Sequence, residues 1–361
     1  MNNKPFNDIT AAELVNNINV GWNLGNSLDA SRSFFLNSES SVSEWETAWH
    51  NPVITMAAVT AIKNAGFNAI RIPVSWAKCT DSNYNIRRDW MTRVTEVVNY
   101  AVDNDLYIFL NTHHDETIFK FFNADMAESV KAFKKIWEQI ADNFKNYNEK
   151  LVFEALNEPR TIGTKENPYP LEWKGGTSEE RSNLNAYYQL FVDTVRASGG
   201  NNEMRILLVN TYAASIKAIT MDDLKIPNDS KKNKIIVSFH HYAPFDFAFP
   251  ESMGGMAVDW SESNTADTEP IAAPIDLAYD KFVCRGFPVI IGEFGAPNKN
   301  NTAARAAWAE FNVRYAKSKG MRCFWWDNGG DPSKTNNAIL NRTDNSFPFP
   351  EIISGLIKGA R

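Results

Sequence analysis

Short apolar runs alternate with segments of helical periodicity along almost the whole chain. The apolar runs are rich in Val, Ile and Phe and do not alternate with polar residues, which is typical of strands covered on both faces. Eight strands are predicted in this way, over residues 20–24, 69–73, 107–110, 151–156, 206–209, 235–239, 288–291 and 323–326.

The segments between these runs carry apolar residues with a period of 3.6. Ile54, Ala58 and Ile62 belong to one such stripe, and Gly66 follows it as a C-terminal cap. The same spacing predicts helices through 94–102, 133–141 and 184–192. Further helices are predicted at 274–282, 303–318 and 352–359, with a weaker one near 213–219.

Eight strands, each followed by a helix, predict a (β/α)8 TIM barrel. The chain has 361 residues, or ~45 per unit, which leaves room for long loops at the carboxyl ends of the strands. A doubly wound open sheet is the rival, but no GxGxxG turn follows the first strand. Because no linker interrupts the alternation, we expect a single catalytic domain over residues 1–361.

Composition and charge exclude several classes of protein. The 37 Lys and Arg against 43 Asp and Glu give a net charge of −6, whereas nucleic-acid binders are usually basic. The 3 Cys allow at most one disulfide, and their spacing fits no zinc pattern. No apolar run approaches the ~18 residues of a membrane span. We therefore expect no nucleic-acid partner and no membrane segment.

Polar residues follow most of the predicted strands, where a buried core would not hold them. In a barrel these positions meet at one mouth. They are Asn26, Arg71, Asn111 to Asp115, Asn157, Glu158, His240 to Tyr242, Glu293, and Trp325 to Asp327. Three long loops, 27–51, 160–178 and 243–270, also follow strands and carry aromatic residues, which predicts an open groove. The mouth is thus the predicted functional site.

Two carboxylates stand out at this mouth, Glu158 after the fourth strand and Glu293 after the seventh. Cleavage of a glycosidic bond needs one carboxylic acid to protonate the leaving oxygen and one carboxylate to attack or stabilise the sugar. Taken alone, either residue could equally be a salt-bridged surface glutamate. The surrounding motifs favour the catalytic interpretation.

The motifs GWNLGN, GFNAIRIPVSW, NTHHD, VFEALNEPR, SFHHYAP, IIGEFGA and FWWDNGG occur in this order over residues 21–330. Together they resemble glycoside hydrolase family 5, a family of clan A barrel enzymes. The segments ETAWHNP and EWKGG resemble its endo-β-1,4-glucanase branch, subfamily 4. His50 is a departure, because that branch usually has Gly at this position.

The resemblance implies that Glu158 is the general acid/base and Glu293 the nucleophile. It implies supporting roles for Arg71, His113, Asn157, His240 and Tyr242, and substrate contacts for Asn26, His114 and Trp326. Spacing alone does not decide whether Trp325 or Trp326 faces the cleft. Two aromatic residues of the long loops, Trp45 and Trp173, are further predicted substrate contacts. Arg71 is expected to keep Glu293 ionised, and the charge of Glu293 to raise the pKa of Glu158.

These observations predict an endo-acting, retaining hydrolase of β-1,4-glucans: cellulose, carboxymethylcellulose, mixed-linkage glucan and, as a further candidate, xyloglucan. The alternatives are a non-catalytic polysaccharide-binding barrel, or the same chemistry on xylan or mannan. No cofactor or metal is expected, because metal-dependent barrel hydrolases usually carry His-x-His on the first strand. The protein is expected to be a monomer that acts outside the cell on a β-linked polysaccharide or oligosaccharide, although the first ten residues have no signal-peptide pattern.

Overall fold

The computed structural model describes residues 5–31, 36–37 and 39–361. Eight parallel strands form a closed barrel in chain order, which confirms the predicted (β/α)8 architecture. The strands are β1 Gly21–Leu24, β2 Ala69–Ile72, β3 Tyr107–Asn111, β4 Leu151–Glu154, β5 Leu207–Asn210, β6 Ile235–His240, β7 Val289–Phe294 and β8 Arg322–Asp327. All eight predicted strands are therefore present, within a few residues of the predicted bounds.

Helices connect the strands around the outside of the barrel. They are α1 Ala11–Asn17, α2 Val42–Glu46, α3 Met56–Asn64, α4 Arg88–Asp103, α5 Met126–Phe144, α6 Ser178–Ala197, α7 Ala218–Asp222, α8 Phe245–Ala248, α9 Thr265–Lys281, α10 Thr302–Ser318 and α11 Pro350–Gly359. The strongly periodic helices are confirmed. The weaker one near 213–219 is wrong, because Ala213 and Ala214 have positive φ and α7 begins only at Ala218.

Helix α9 begins earlier than predicted, at Thr265, and contains Pro270 and Pro274. Proline is commonest in the first turn of a helix, so the helix was predicted to begin at Pro274, nine residues too late. No helix among the described residues is long and apolar enough to cross a membrane.

The inside of the barrel has an apolar layer at the amino ends of the strands. Phe109 and Phe324 meet there edge to face, with ring centroids 4.9 Å apart. A Cβ at Gly21 would lie 2.1 Å from the Phe324 ring, so only glycine fits opposite it. Leu14 and Val15 of α1 join the same apolar cluster and close this end of the barrel.

A polar layer lies above the apolar one, two residues further along each strand, where the side chains again point inward. It contains Asn23, Arg71, Asn111, Glu154 and Asn210, all of them buried. A polar layer inside a barrel requires hydrogen-bond partners for every member. These partners are provided largely within the layer itself, and this network supports the mouth.

His50 adopts a left-handed backbone conformation, with φ of +65°. Glycine reaches this region at no steric cost, whereas other residues are strained there. His50 therefore keeps the backbone conformation that glycine favours, and its side chain makes that conformation strained.

Candidate active site

Arg71 of β2 is the centre of the polar network, fully buried inside the barrel. Its Nη1 donates to Oε1 of Glu293 at 2.7 Å and to Oδ1 of Asn23 at 3.0 Å. Its Nη2 donates to Oε1 of Glu154 and Oδ1 of Asn157, and its Nε donates to Oε2 of Glu154, each at 2.7 Å. All five N–H donors of the guanidinium are thus used, which fixes its orientation completely.

Glu293 of β7 lies at the mouth and is 5% exposed. Its Oε1 accepts from Arg71 and its Oε2 accepts from the hydroxyl of Tyr242 at 2.9 Å. A donor on each oxygen holds the carboxylate in one orientation, as a nucleophile requires. The burial of Tyr242 and the negative charges of Glu293 and Glu158 raise the pKa of the phenol well above its usual value, so it stays a donor.

Glu158 follows β4 and is the more accessible of the two carboxylates, with 18% of its side chain exposed. Its Oε1 lies 2.9 Å from Nδ1 of His240, and its Oε2 lies 3.5 Å from Nη1 of Arg160. An oxygen of Glu158, an oxygen of Glu293 and a ring nitrogen of His240 all lie within 4.8 Å of one another. The two carboxylates therefore face the same small space.

The electrostatics of Glu158 differ from the prediction that the charge of Glu293 raises its pKa. Burial raises the pKa of Glu158, but the hydrogen bond and charge of His240 and the charge of Arg160 outweigh it and hold the pKa at about 2. Burial raises the pKa of Glu293, against the opposing charges of His240 and Arg71. The prediction considered Arg71 and Glu293 alone, whereas the structure places His240 and Arg160 beside Glu158.

Asn157 is buried, and Arg71 settles the orientation of its amide. Because Nη2 of Arg71 donates to Oδ1 of Asn157 at 2.7 Å, the NH2 group is the part left to face the mouth. Asn157 can therefore donate to a hydroxyl beside the two carboxylates.

His113 and Trp326 form one wall of the mouth, with parallel rings 5.8 Å apart between centroids. Nδ2 of Asn111 faces Nδ1 of His113 at 3.1 Å, because Oδ1 of Asn111 accepts from a backbone N–H. This places the His113 proton on Nε2, and burial lowers the pKa of the imidazole well below its usual value. Trp325 is fully buried on the outside of the barrel, so it is Trp326 that faces the mouth.

Asn26 and His114 lie at the same mouth and are partly exposed. Asn26 has a left-handed backbone, with φ of +57°. His114 packs edge to face on His113 and lies 5.6 Å from the Trp49 ring. Both residues are thus placed where a substrate could reach them.

The prediction for Trp45 is wrong. Its side chain is 4% exposed, its Nε1 donates to the carbonyl of Asn37, and the ammonium of Lys78 lies 5.2 Å from its ring centroid. Trp45 therefore holds the first loop together instead of lining the groove. Phe34 and Phe35 of that loop lie outside the described residues.

Trp173, in contrast, is 54% exposed and stacks on the guanidinium of Arg160 at 4.0 Å. Nη1 of Arg160 also donates to the carbonyl of Glu158 at 3.0 Å. One face of the indole is thereby fixed next to Glu158, while the rest is open to solvent. Trp173 is thus an exposed aromatic side chain next to a residue that contacts Glu158.

Sequence reasoning missed the residues that support the site from below, namely Asn23, Glu154 and Asn210, and the cation Arg160. The signal was present: β1, β2, β3, β4 and β5 each carry a polar residue at the same depth in the barrel. Recognising it requires the strand registers, because each of these residues lies inside an otherwise apolar run.

Among the residues that the structure describes, two groups of side chains have atoms close enough to share a metal ion, Asp29 with His113 and His114, and Glu158 with His240 and Glu293. The oxygens of Asp29 already accept from the backbone N–H groups of Asn26 and Ser27. The second group is the carboxylate pair itself. Both groups are accounted for by hydrogen bonding.

Comparisons with known proteins agree with this geometry. The profile of Cellulase (glycosyl hydrolase family 5) matches residues 30–332. Endoglucanase A of Clostridium longisporum is 42% identical over 354 residues, which cover 97% of this chain and 66% of that protein. The chain thus spans slightly less than two thirds of that relative.

Solved structures of similar proteins superpose over nearly the whole chain. A GH5-4 broad specificity endoglucanase from Ruminococcus champanellensis with bound cellotriose has a TM-score of 0.92 and 42% identity, covering 98% of this chain and 100% of that chain. A glycoside hydrolase 5 lichenase mutant from Caldicellulosiruptor sp. F32 in complex with cellotetraose has a TM-score of 0.90 and 39% identity, covering 100% and 98%. The chain therefore belongs to glycosyl hydrolase family 5.

Proposed function

We propose that this protein is an endo-β-1,4-glucanase that cleaves its substrate with retention of configuration. The observation that carries the proposal is that one carboxylate oxygen of Glu158 lies within 4.8 Å of one carboxylate oxygen of Glu293. Retaining glycosidases have carboxyl groups ~5–5.5 Å apart, whereas inverting enzymes leave ~6.5–9.5 Å for a water molecule. The gap here fits direct attack by one carboxylate.

In the first step, Glu293 attacks the anomeric carbon and the glycosidic bond breaks, which gives a glycosyl ester. The leaving oxygen takes a proton from Glu158, the more exposed carboxylate. In the second step, Glu158 removes a proton from a water molecule, which attacks the same carbon and releases Glu293. The amide of Asn157 donates to the sugar 2-hydroxyl, a contact that strengthens as the ring approaches the oxocarbenium ion.

In this mechanism Glu158 acts with His240 beside it, since Nδ1 of His240 lies 2.9 Å from Oε1 of Glu158. The hydrogen bond and charge of His240 lower the pKa of Glu158. The protonation of Glu158 therefore depends on its contact with His240.

The proposed substrate is a chain of β-1,4-linked glucose, in cellulose, carboxymethylcellulose, mixed-linkage glucan or xyloglucan. The similar structures that hold cellotriose and cellotetraose support this class. Trp326 would stack on the sugar at the cleavage point, since the C–H face of a pyranose is apolar. Trp173 would support a sugar on the leaving-group side. We further propose that the enzyme acts as a monomer and outside the cell, where such polymers occur.

A hydrolysis panel tests the proposal. Carboxymethylcellulose, mixed-linkage glucan, xyloglucan, xylan and mannan are each incubated with the wild type, with Glu293→Gln, and with Glu262→Gln as a surface control. We expect new reducing ends and a rapid fall in viscosity on the β-1,4-glucans, and a loss of about 10³-fold or more for Glu293→Gln alone. Glucan binding without any product would instead support a non-catalytic barrel, and product from xylan or mannan alone would contradict the substrate assignment.

A further inference from the structure

Glu154 is a third buried carboxylate, below the two that face the substrate. It is the last residue of β4, is 1% exposed, and precedes Glu158 by four residues. Its Oε2 and Oε1 accept from Nε and Nη2 of Arg71, both at 2.7 Å, and its Oε1 also accepts from Nδ2 of Asn210 at 2.9 Å. Glu154 lies inside the barrel, below the space where a sugar would bind.

The two carboxylates around Arg71 hold it differently. Glu154 forms a bidentate pair, the strongest and most directional arrangement for a guanidinium. Glu293 accepts a single hydrogen bond, from Nη1. The bidentate pair fixes the plane of the guanidinium, and that plane then determines where Nη1 points. The position of Glu293 thus depends on Glu154 through Arg71.

The charges follow the same arrangement. Arg71 carries one positive charge, and Glu154 neutralises it from inside the barrel. Glu293 therefore faces an ion pair and not an isolated cation, and burial raises its pKa although the guanidinium lies 2.7 Å away. The other groups facing Glu293 are Glu158, which disfavours its ionised form, Tyr242, which donates to Oε2, and His240, whose Nδ1 lies 3.5 Å from Oε2.

We propose that Glu154 is a positioning residue for the nucleophile. Glu154 orients Arg71 and offsets its charge, so that Arg71 holds Glu293 in place without making it a weak nucleophile. A carboxylate paired with an unshared cation would be easily ionised but less reactive, since basicity and nucleophilicity fall together. Glu154 sets this balance from a site that no substrate touches. The inference rests on the proposed function of Glu293.

Glu154→Gln tests the inference, because the amide keeps the size of the side chain and removes its charge. With the charge of Arg71 no longer shared, Glu293 should ionise at lower pH. We expect the acid limb of the kcat/KM profile to move down by about half a pH unit or more, kcat to fall about tenfold, and KM to stay within about twofold. A profile that superposes on that of the wild type, or a loss in KM alone, would overturn the inference.

Asp229→Asn is the matched control. Asp229 is 5% exposed in its side chain and forms a bidentate pair with Nε and Nη2 of Arg196, at 2.9 and 2.6 Å. It precedes β6 and lies at the opposite end of the barrel from the mouth. The variant therefore breaks a similar buried pair and should lose stability without any shift of the pH profile. An equal shift in Asp229→Asn would mean that the effect of Glu154→Gln is not local, which contradicts the inference.

Two further measurements keep the test decisive. Glu154→Asp keeps the charge and shortens the side chain, so kcat should fall while the acid limb of the pH profile stays in place. An unchanged kcat in Glu154→Asp would overturn the positioning role, even if Glu154→Gln does not fold. A 13C NMR titration of the Glu293 carboxyl group, in wild type and Glu154→Gln, needs no substrate. If the pKa of Glu293 is lower in Glu154→Gln but the wild type hydrolyses no glucan, the proposed function is refuted while the coupling of Glu154 to Glu293 is retained.

Discussion

Nδ1 of His240 lies 2.9 Å from Oε1 of Glu158, at the end of β6 where the strand register shifts. The same nitrogen lies 3.5 Å from Oε2 of Glu293. One imidazole thus stands between the two carboxylates. The pKa of Glu158 therefore depends on its contact with this residue.

The first prediction concerns His240→Asn. Because the hydrogen bond and charge of His240 lower the pKa of Glu158, this variant should raise the pKa of Glu158. Glu158 then keeps the acid proton to higher pH. We expect the alkaline limb of kcat/KM to move to higher pH, with kcat reduced about 10²-fold because the carboxyl group loses the partner that orients it. A limb that stays in place or moves to lower pH would contradict the influence of His240 on Glu158.

The second prediction separates the two steps through Glu158→Gln. This variant cannot protonate the leaving group, so hydrolysis of natural glucans should fall by about 10³-fold or more. A dinitrophenyl cellobioside needs no such proton, and its first step should be nearly as fast as in the wild type. Pre-steady-state release of dinitrophenol measures it. Equal losses on both substrates would argue against Glu158 as the acid.

The third prediction compares two tryptophans that sequence reasoning treated alike. Trp326→Ala removes the platform in the mouth, so kcat/KM should fall about 10- to 100-fold, or ~1.4–2.7 kcal/mol, with a small change in melting temperature. Trp45→Phe removes the hydrogen bond to Asn37 and weakens the packing around Lys78, so it should cost about 1–2 kcal/mol of unfolding free energy and little activity. Kinetics and urea denaturation of both variants test the distinction, and the reverse pattern would show that the roles are exchanged.

The fourth prediction uses the strained backbone at His50. His50 is exposed and has a φ of +65°, so His50→Gly relieves steric strain in the folded protein. The same substitution increases the conformational entropy of the unfolded chain, which offsets part of the gain in stability. We expect a net gain of about 0.5 kcal/mol in unfolding free energy, whereas His50→Ala should lose stability, since histidine tolerates this region better than alanine does. Urea denaturation should give the highest unfolding free energy for His50→Gly, an intermediate value for the wild type and the lowest value for His50→Ala. Alanine as the most stable would be inconsistent with the strain.

Much of the fold could be predicted from the sequence because its signals are local. The apolar runs of the strands and the periodicity of α4, α5 and α6 do not depend on distant residues. The positions of Glu158 and Glu293, near the carboxyl ends of the fourth and seventh strands, then bring them to one mouth in any parallel barrel.

The chemistry of the site could be predicted only in part, because it depends on pairs that are distant in sequence. Glu154 meets Arg71 across the barrel, and Trp45 turns away from the groove because Lys78 and Asn37 hold it. The predicted direction for the pKa of Glu158 was wrong for the same reason, since this pKa depends on His240 and Arg160. A list of motif residues contains none of these distances.

The central claim, that Glu293 attacks the sugar while Glu158 protonates the leaving oxygen, is tested most directly by the configuration of the first product. Proton NMR of a cello-oligosaccharide digest, recorded before mutarotation, distinguishes the two anomers at the new reducing end. We predict that the β-anomer appears first. Early accumulation of the α-anomer would mean direct attack by water and would contradict the account.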